Sequence, residues 1–167
     1  MHPVRVATER WFLKLDGIAG ESTHASHKDE IDVESWSWGV THPASPSGGS
    51  GGGGGAGKAS FEDFHFVSRI STASPALFTA CASGSHIKEG LLTGNRGSGK
   101  GIDYLKYKLR DVVVTSLIQS DTDAEPPVEQ FSLSYSKVEW SYTPQSSSGK
   151  AGTPIKAGWD LKTNKKL

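Results

Sequence analysis

The sequence has a single cysteine, Cys81, and no excess of charge of either sign. One cysteine excludes an intramolecular disulfide framework and a zinc site built from several cysteines. The 18 Lys and Arg residues balance 18 Asp and Glu residues, so the chain lacks the positive charge that is typical of nucleic-acid-binding proteins. Its length of 167 residues predicts one domain, residues 1–167.

Long apolar runs are also missing. The N-terminus has no apolar stretch followed by small residues, which predicts that there is no secretory signal peptide. No segment approaches the roughly 18 consecutive apolar residues of a membrane-spanning helix, so we expect no membrane insertion. The sequence therefore predicts a protein that is assembled in the cytoplasm and that would need a route other than general secretion to leave the cell.

Two glycine-rich segments match the first part of a phosphate-binding loop, namely Gly52–Lys58 and Gly94–Lys100. A phosphate-binding loop continues with Ser or Thr and opens a helix, whereas here Ala59 and Gly101 follow and the next residues are strand-like. We therefore predict no nucleotide cofactor. An enzyme that uses one of these loops remains the alternative from a different functional class.

Metal-binding and catalytic patterns find little support. His24 and His27 stand three residues apart, and Asp29, Glu30 and Asp32 are close by. The segment is a polar connection, so a solvated loop is predicted rather than a metal site. The spacing of Ser, His and Asp residues selects no catalytic triad, and Cys81 is expected in the core rather than as a nucleophile. We predict no catalytic residues, no cofactor and no enzymatic activity.

Apolar residues alternate with polar ones at the period of β-strands over most of the chain. The alternation changes phase between Val33 and Trp36, which indicates a bulge near Glu34 or Ser35, and again between Tyr135 and Val138. Strands that change phase midway are typical of bent sheets. The predicted fold is mainly β, with two packed antiparallel sheets that form a barrel-like sandwich.

One short helix is predicted at the side of this sandwich. Ser74 suits its N-cap, Pro75 its first turn and Gly84 its left-handed C-terminus. Leu77, Phe78 and Cys81 are expected to share its buried face. The full set of predicted core residues is Trp36, Trp38, Phe64, Phe66, Leu77, Phe78, Cys81, Trp140 and Trp159.

Three segments are expected outside the core. Residues 1–10 are predicted to be an N-terminal extension, residues 41–58 a long glycine-rich loop, and residues 162–167 a basic tail. From Lys137 onward six lysines stand against Glu139 and Asp160. The tail is expected to be solvated, with charge complementarity between neighbouring subunits as the alternative.

Taken in order, the motifs of the chain resemble those of the haemolysin-coregulated protein (Hcp) family, the tube protein of bacterial type VI secretion systems. The resemblance rests on the following segments and covers roughly residues 11 to 164: Asp16–Ser22, Glu30–Val33, Trp36–Gly39, the poly-Gly loop that ends in Gly-Ala-Gly-Lys, Ser74–Cys81 with Gly84 and His86, Tyr104–Val114, Val138, Tyr142–Pro144 and Gly158–Asp160.

The resemblance implies a hexameric ring, with rings stacked into a hollow tube that a contractile sheath drives outward behind a spike protein. It also implies that small secreted effectors are carried in the lumen of the ring. We expect the glycine-rich loop to contact the next ring of the stack, through His42, Pro43, Ser47, Gly49, Gly52, Gly55, Gly57 and Lys58.

Two features leave alternatives open. Gly90 and Gly94 weaken the strand predicted after His86, so its pairing is in question. A tube subunit of a phage-like or extracellular contractile injection particle would share the bent-sheet architecture, and a monomeric sheet-based binding module is a further alternative.

Overall fold

The computed structural model describes residues 9–44, 57–122 and 125–167. These residues form twelve strands and one helix, α1 (Ser74–Ser83). The strands are β1 (Arg10–Leu15), β2 (Ile31–Val33), β3 (Ser35–Ser37), β4 (Val40–Thr41), β5 (Ser60–Phe61), β6 (Phe64–Arg69), β7 (His86–Arg96), β8 (Ile102–Thr122), β9 (Glu125–Ser134), β10 (Lys137–Tyr142), β11 (Ile155–Asp160) and β12 (Lys165–Lys166).

Strand β8 organises the sheet because it is long enough to pair with three neighbours. Its first half lies between β7 and β10, and its second half pairs with β9. From β7 the sheet continues through β1 to β2, and from β9 it continues through β6 to β3. Ten of the described strands thus form one large antiparallel sheet, and β4 pairs with β5 in a small second one. The predicted mainly-β fold with one short helix is confirmed.

The two phase changes in the sequence mark the points at which the chain changes its strand partner. Strand β2 pairs with β1 and strand β3 pairs with β6, and Glu34 lies between them, with its backbone N–H donating to the Val67 carbonyl at 2.8 Å. The second change lies at Ser136, between β9 and β10, whose N–H donates to the Arg110 carbonyl at 2.9 Å. At both points a residue drops out of the alternation and the strand bends, so that apolar side chains on both sides of the break face the core.

The core is an aromatic cluster between the two halves of the bent sheet. Phe64 and Phe66 are fully buried, and Phe64 stacks on Trp38 with ring centroids 5.1 Å apart. Trp36 and Trp38 are partly buried against this cluster, and the Trp38 indole N–H donates to the Tyr135 hydroxyl. Each fully buried large apolar side chain contributes about 1.5 to 3 kcal/mol relative to exposure. Phe12, on the opposite phase of β1 from Leu13, is also fully buried and was missed from the sequence.

The helix begins one residue earlier than predicted, at Ser74 rather than at Pro75. Ala73 occupies the N-cap position, without a side-chain cap, and Ser74 is the first helical residue. The Ser74 hydroxyl instead donates to the Glu129 carboxylate at 2.8 Å. Gly84 has the predicted left-handed conformation, at φ 65°, and ends the helix.

Placing Phe78 on the buried face of this helix is wrong. The buried helical residues are Ser74, Leu77 and Ala80, which recur at three-residue spacing, while Phe78 is 62% exposed. A helix turns by about 100° per residue, so Phe78 points well away from the direction of Leu77. Cys81 is partly buried and packs against the core from the edge of the helix.

The strand after His86 is paired on both sides, contrary to the expectation that its glycines weaken it. Strand β7 pairs with β1 on one side and with β8 on the other, so Gly90 and Gly94 lie in a central strand. A Cβ atom on Gly94 would stand 2.5 Å from the Trp11 ring, and one on Gly90 would stand 3.0 Å from Leu15. These glycines therefore make room for large side chains of β1 rather than weakening the strand.

The first strand begins inside the segment that the sequence predicts to be an N-terminal extension. Strand β1 already includes Arg10, which forms an ion pair with Asp32 at 2.9 Å. The Glu9 carboxylate accepts hydrogen bonds from Arg96 at 2.8 Å and from the Tyr104 hydroxyl at 2.7 Å. The remainder of the predicted extension, residues 1–8, lies outside the described residues.

Candidate assembly surfaces

Strands β10, β11 and β12 extend the sheet beyond the core, and we call them the C-terminal wing. Strand β10 pairs with β8 and β11, and β12 forms the outer edge. Val138 on this wing is buried, but the exposed fraction rises to 38% at Trp140, 39% at Tyr142 and 67% at Ile155. One face of the wing is therefore an apolar surface that the described chain leaves uncovered.

Placing Trp140 in the core is accordingly wrong. Trp140 shares the phase of Val138 and stacks on the buried Tyr107 with ring centroids 5.9 Å apart, but its other side is left exposed. Trp159, directly opposite Val138, is partly buried against the core. Periodicity identifies the face of a strand but not the point at which the core ends.

The other face of the wing is charged. It borders an open cleft of about 610 Å³ that is lined by Lys106, Lys156, Lys166, Glu89 and Glu139, among others. Leu91 and Trp140 also line this cleft, so it is bordered by apolar as well as charged side chains.

The far half of β8 forms a second projection with β9, and we call residues 117–122 with 125–130 the arm. Ile118 lies opposite Gln130 and is 61% exposed, whereas the neighbouring Leu117 packs against the core. Ile70 is 42% exposed, and its N–H donates to the Pro127 carbonyl at the base of the arm at 3.1 Å.

A buried carboxylate holds the base of the arm against the helix. Glu129 is 1% exposed and accepts hydrogen bonds from the Ser74 hydroxyl at 2.8 Å and from Gln119 Nε2 at 3.1 Å. These hydrogen bonds link β9 to the first turn of α1 and to the second half of β8.

The segment between β1 and β2 is not the solvated loop that the sequence predicts. His24 and His27 are both buried, and the His27 ring stacks on Phe12 with centroids 4.5 Å apart. His27 Nδ1 lies 2.9 Å from the Glu30 carboxylate, and Nε2 lies 2.8 Å from Asp103. The segment therefore packs over Phe12, on one face of β1. The described residues contain no cluster of three or more potential metal ligands.

Hydrogen bonds hold the carboxyl group of Asp103 in its ionised form. Burial raises its pKa, but the hydrogen bonds from Asn95, at 2.8 Å, and from His27 outweigh the burial, so the pKa lies below its ordinary value. Because Asp103 is 76 residues away from His27, the sequence offers no signal for their contact.

The predicted basic tail is partly structured. Lys165 and Lys166 form β12, and Lys162 Nζ lies 3.1 Å from Asp111. Asp111 also lies 2.6 Å from His86 Nδ1, and the hydrogen bonds from His86 and Lys162 lower the pKa of Asp111. These contacts fasten the C-terminal wing to β7 and β8.

The glycine-rich loop begins and ends at the small second sheet, where Val40 pairs with Phe61. His42, Pro43 and Lys58 are exposed at its base, and a Cβ atom on Gly57 would stand 2.6 Å from Pro43. The remaining predicted contact residues, Ser47, Gly49, Gly52 and Gly55, lie outside the described residues.

The second phosphate-loop match lies in an antiparallel hairpin. Gly94 belongs to β7, and the turn that ends at Gly101 leads directly into β8. A phosphate-binding loop needs a helix N-terminus at this place, so the local structure does not provide that cradle. Within the described ranges, no helix is long and apolar enough to cross a membrane.

Comparison with known proteins gives one consistent answer. The family model described as "Type VI secretion system effector, Hcp" matches residues 12–142. Protein hcp1 of Pseudomonas aeruginosa is 37% identical over 156 residues, which cover 92% of this chain and 95% of the relative.

Solved structures agree with this match. The crystal structure of Hcp1 from Salmonella typhimurium has a TM-score of 0.80 at 36% identity and covers 96% of this chain and 99% of its own. A structure described as a type six secretion system protein has a TM-score of 0.87 at 32% identity, with 95% and 99% coverage.

Proposed function

The chain belongs to the Hcp family, the tube proteins of type VI secretion systems, and we propose that it builds the tube as a hexameric ring. In this proposal the rings assemble in the cytoplasm, stack on one another, and leave the cell when a contractile sheath drives them out behind a spike protein. The role is structural rather than catalytic. Effector carriage in the lumen, like the sheath and spike contacts, is proposed from family membership.

The apolar face of the C-terminal wing is the observation that carries ring formation. Trp140, Tyr142 and Ile155 are exposed side by side on a chain whose other wing face is charged. Contiguous apolar surface of this kind is a mark of protein contacts, and a second copy of the chain would remove it from water. A repeated contact between unlike surfaces closes into a ring when the rotation between copies is right.

Stacking is proposed to use the glycine-rich loop. The loop leaves the fold from the separate β4–β5 pair, and the exposed Val40 of β4 and His42 just after it stand at the base of the loop. Ordering a glycine-rich segment costs about 1 to 2 kcal/mol per residue in backbone entropy, which six equivalent contacts between two rings can offset. Deletion of residues 49–55 is expected to leave ring formation intact and to impair stacking and secretion.

Secretion is tested in a host that carries the intact apparatus. A tagged chain is expected in the culture medium of that host and is expected to remain in cells that lack the contractile sheath, with a cytosolic marker as the control for lysis. Equal release from both strains would contradict the proposed role.

A further inference from the structure

His24 and His27 lie in the segment between β1 and β2, and their rings have different hydrogen-bonding roles. The backbone N–H of Ser26 donates to His24 Nδ1 at 3.1 Å. A ring nitrogen that accepts a hydrogen bond carries no proton, so His24 is neutral and its proton is on Nε2. Both histidines are buried, and their ring centroids are 5.4 Å apart.

In His27, by contrast, both ring nitrogens face carboxylates. Nδ1 lies 2.9 Å from Glu30, and Nε2 lies 2.8 Å from Asp103. An ionised carboxylate only accepts hydrogen bonds, and an imidazole that donates from both nitrogens is positively charged. Burial raises the pKa of Asp103, but hydrogen bonds from Asn95 and His27 outweigh it and leave the pKa below its ordinary value. The carboxylate at Nε2 is therefore ionised, and it requires a proton on that nitrogen.

The surroundings of His27 also favour a positive charge on its ring. The titratable groups near the ring or its carboxylate partners are His24, Glu30, Asp103 and Lys106. Strand β1 contributes Phe12, which stacks on His27 at 4.5 Å and attracts a cation through its aromatic face. Arg10 also lies over the Phe12 ring, at 4.9 Å, but its charge is paired with Asp32. Two carboxylates thus face a ring whose histidine neighbour is neutral.

The segment that carries these histidines, residues 16–30, has few links to the strands beneath it. The backbone hydrogen bonds in its middle part are internal and join Gly20 to Asp29, Asp29 to Ser22, Ser22 to Glu30, and His27 to His24. Thr72 Oγ1 donates to the Ala19 carbonyl at 3.4 Å, which is a long contact. The 2.8 Å contact between His27 and Asp103 is therefore the stronger link between the segment and another element.

From these observations we propose that His27 is a cation at neutral pH, and that its charge holds residues 16–30 closed over Phe12 as a pH-sensitive switch. Loss of the ring proton leaves a lone pair facing a carboxylate, so one of the two charge-assisted hydrogen bonds is lost. Because the closed segment holds the proton more firmly than the open one, closure weakens as the pH rises. This inference goes beyond the proposed tube function and applies to a single copy as well as to a ring.

The charge of the ring is measured by nitrogen NMR of the full-length protein, labelled at histidine only and sedimented so that assembly size does not matter. At about pH 7.5 a free imidazole is mostly neutral. We expect both ring nitrogens of His27 to be protonated at this pH, and His24 to keep one unprotonated nitrogen. Single substitutions, His24→Gln and His27→Gln, assign the resonances. An unprotonated ring nitrogen in His27 at this pH would overturn the inference.

Amide hydrogen exchange tests whether this charge holds the segment closed. Between about pH 6 and about pH 9, exchange in residues 18–29, corrected for the intrinsic rate at each pH, is expected to accelerate about tenfold relative to β7. His27→Gln is expected to abolish this pH dependence, because its side chain does not titrate. The matched control His24→Gln, which replaces the neighbouring buried histidine, is expected to retain the dependence.

Two results of the exchange experiment would overturn the inference. One is a wild-type ratio between the segment and β7 that does not change with pH, and this measurement needs no variant to fold. The other is a pH dependence that persists in His27→Gln, since the titrating group would then lie elsewhere.

Discussion

The six-membered ring of Trp11 lies over Gly94 on the neighbouring strand, so closely that a Cβ atom there would stand 2.5 Å from Trp11 Cζ3. Trp11 is confined on its other sides by Trp36, at 5.2 Å between centroids, and by Tyr104, at 6.1 Å. The indole therefore has little room to move away from an added methyl group.

Gly94→Ala is accordingly expected to destabilise the protein by about 1 to 3 kcal/mol, as overpacked core substitutions do. The measurement is urea unfolding at a fixed protein concentration. Gly39→Ala is the control, because its Cβ would meet only the flexible end of the Glu62 side chain, at 3.3 Å, and it is expected to change stability by less than about 0.5 kcal/mol. Equal effects of the two substitutions would contradict this packing.

The helix face gives a paired prediction. Leu77→Ala is expected to cost about 2 to 5 kcal/mol because it removes a fully buried side chain, and Phe78→Ala is expected to cost less than about 0.5 kcal/mol because the ring is already exposed. Urea unfolding of both variants gives the comparison. A larger loss from Phe78→Ala than from Leu77→Ala would mean that the helix is rotated relative to the structure.

The contact between Glu129 and the helix should be visible in the dynamics of α1. Glu129→Ala leaves the buried Ser74 hydroxyl without its acceptor, at an expected cost of about 1 to 3 kcal/mol. Amide hydrogen exchange in residues 74–83 is expected to accelerate more than exchange in β7. Uniform acceleration across both elements would show that Glu129 stabilises the whole fold and not the helix in particular.

Stability should depend on acid pH through Asp103. Its pKa is lowered in the folded state, so its contribution is fully present above the ordinary aspartate pKa of 3.8 and is lost as the pH falls through the lower folded value. Asp103→Asn is therefore expected to flatten the pH dependence of the free energy of unfolding between about pH 5 and about pH 2. An unchanged slope in Asp103→Asn would refute this assignment.

The sequence predicts those features of the fold that depend on residues close together in the chain. Alternation along the chain identifies the strands, and the break at Glu34 marks a real change of strand partner, because both are properties of neighbouring residues. The misplaced Phe78 and Trp140 show the limit, since both have the right periodicity for burial and differ from Leu77 and Val138 only in what packs over them.

Contacts between distant segments are the part that the sequence does not contain. The burial of His27 depends on its contacts with Asp103 and Phe12. Glycine is needed at position 94 because the Trp11 ring covers it. The assembly surfaces are of the same kind. Ile118 and Ile155 look like ordinary strand residues until the sheet shows that nothing in the described chain covers them.

The mass of the purified full-length chain tests the central claim most directly. Sedimentation velocity at micromolar concentration and moderate salt is expected to give a species of about 107 kDa, six times the 17.8 kDa of the chain. A single species of 17.8 kDa over the same concentration range would contradict the proposal that this protein is a ring-forming tube subunit.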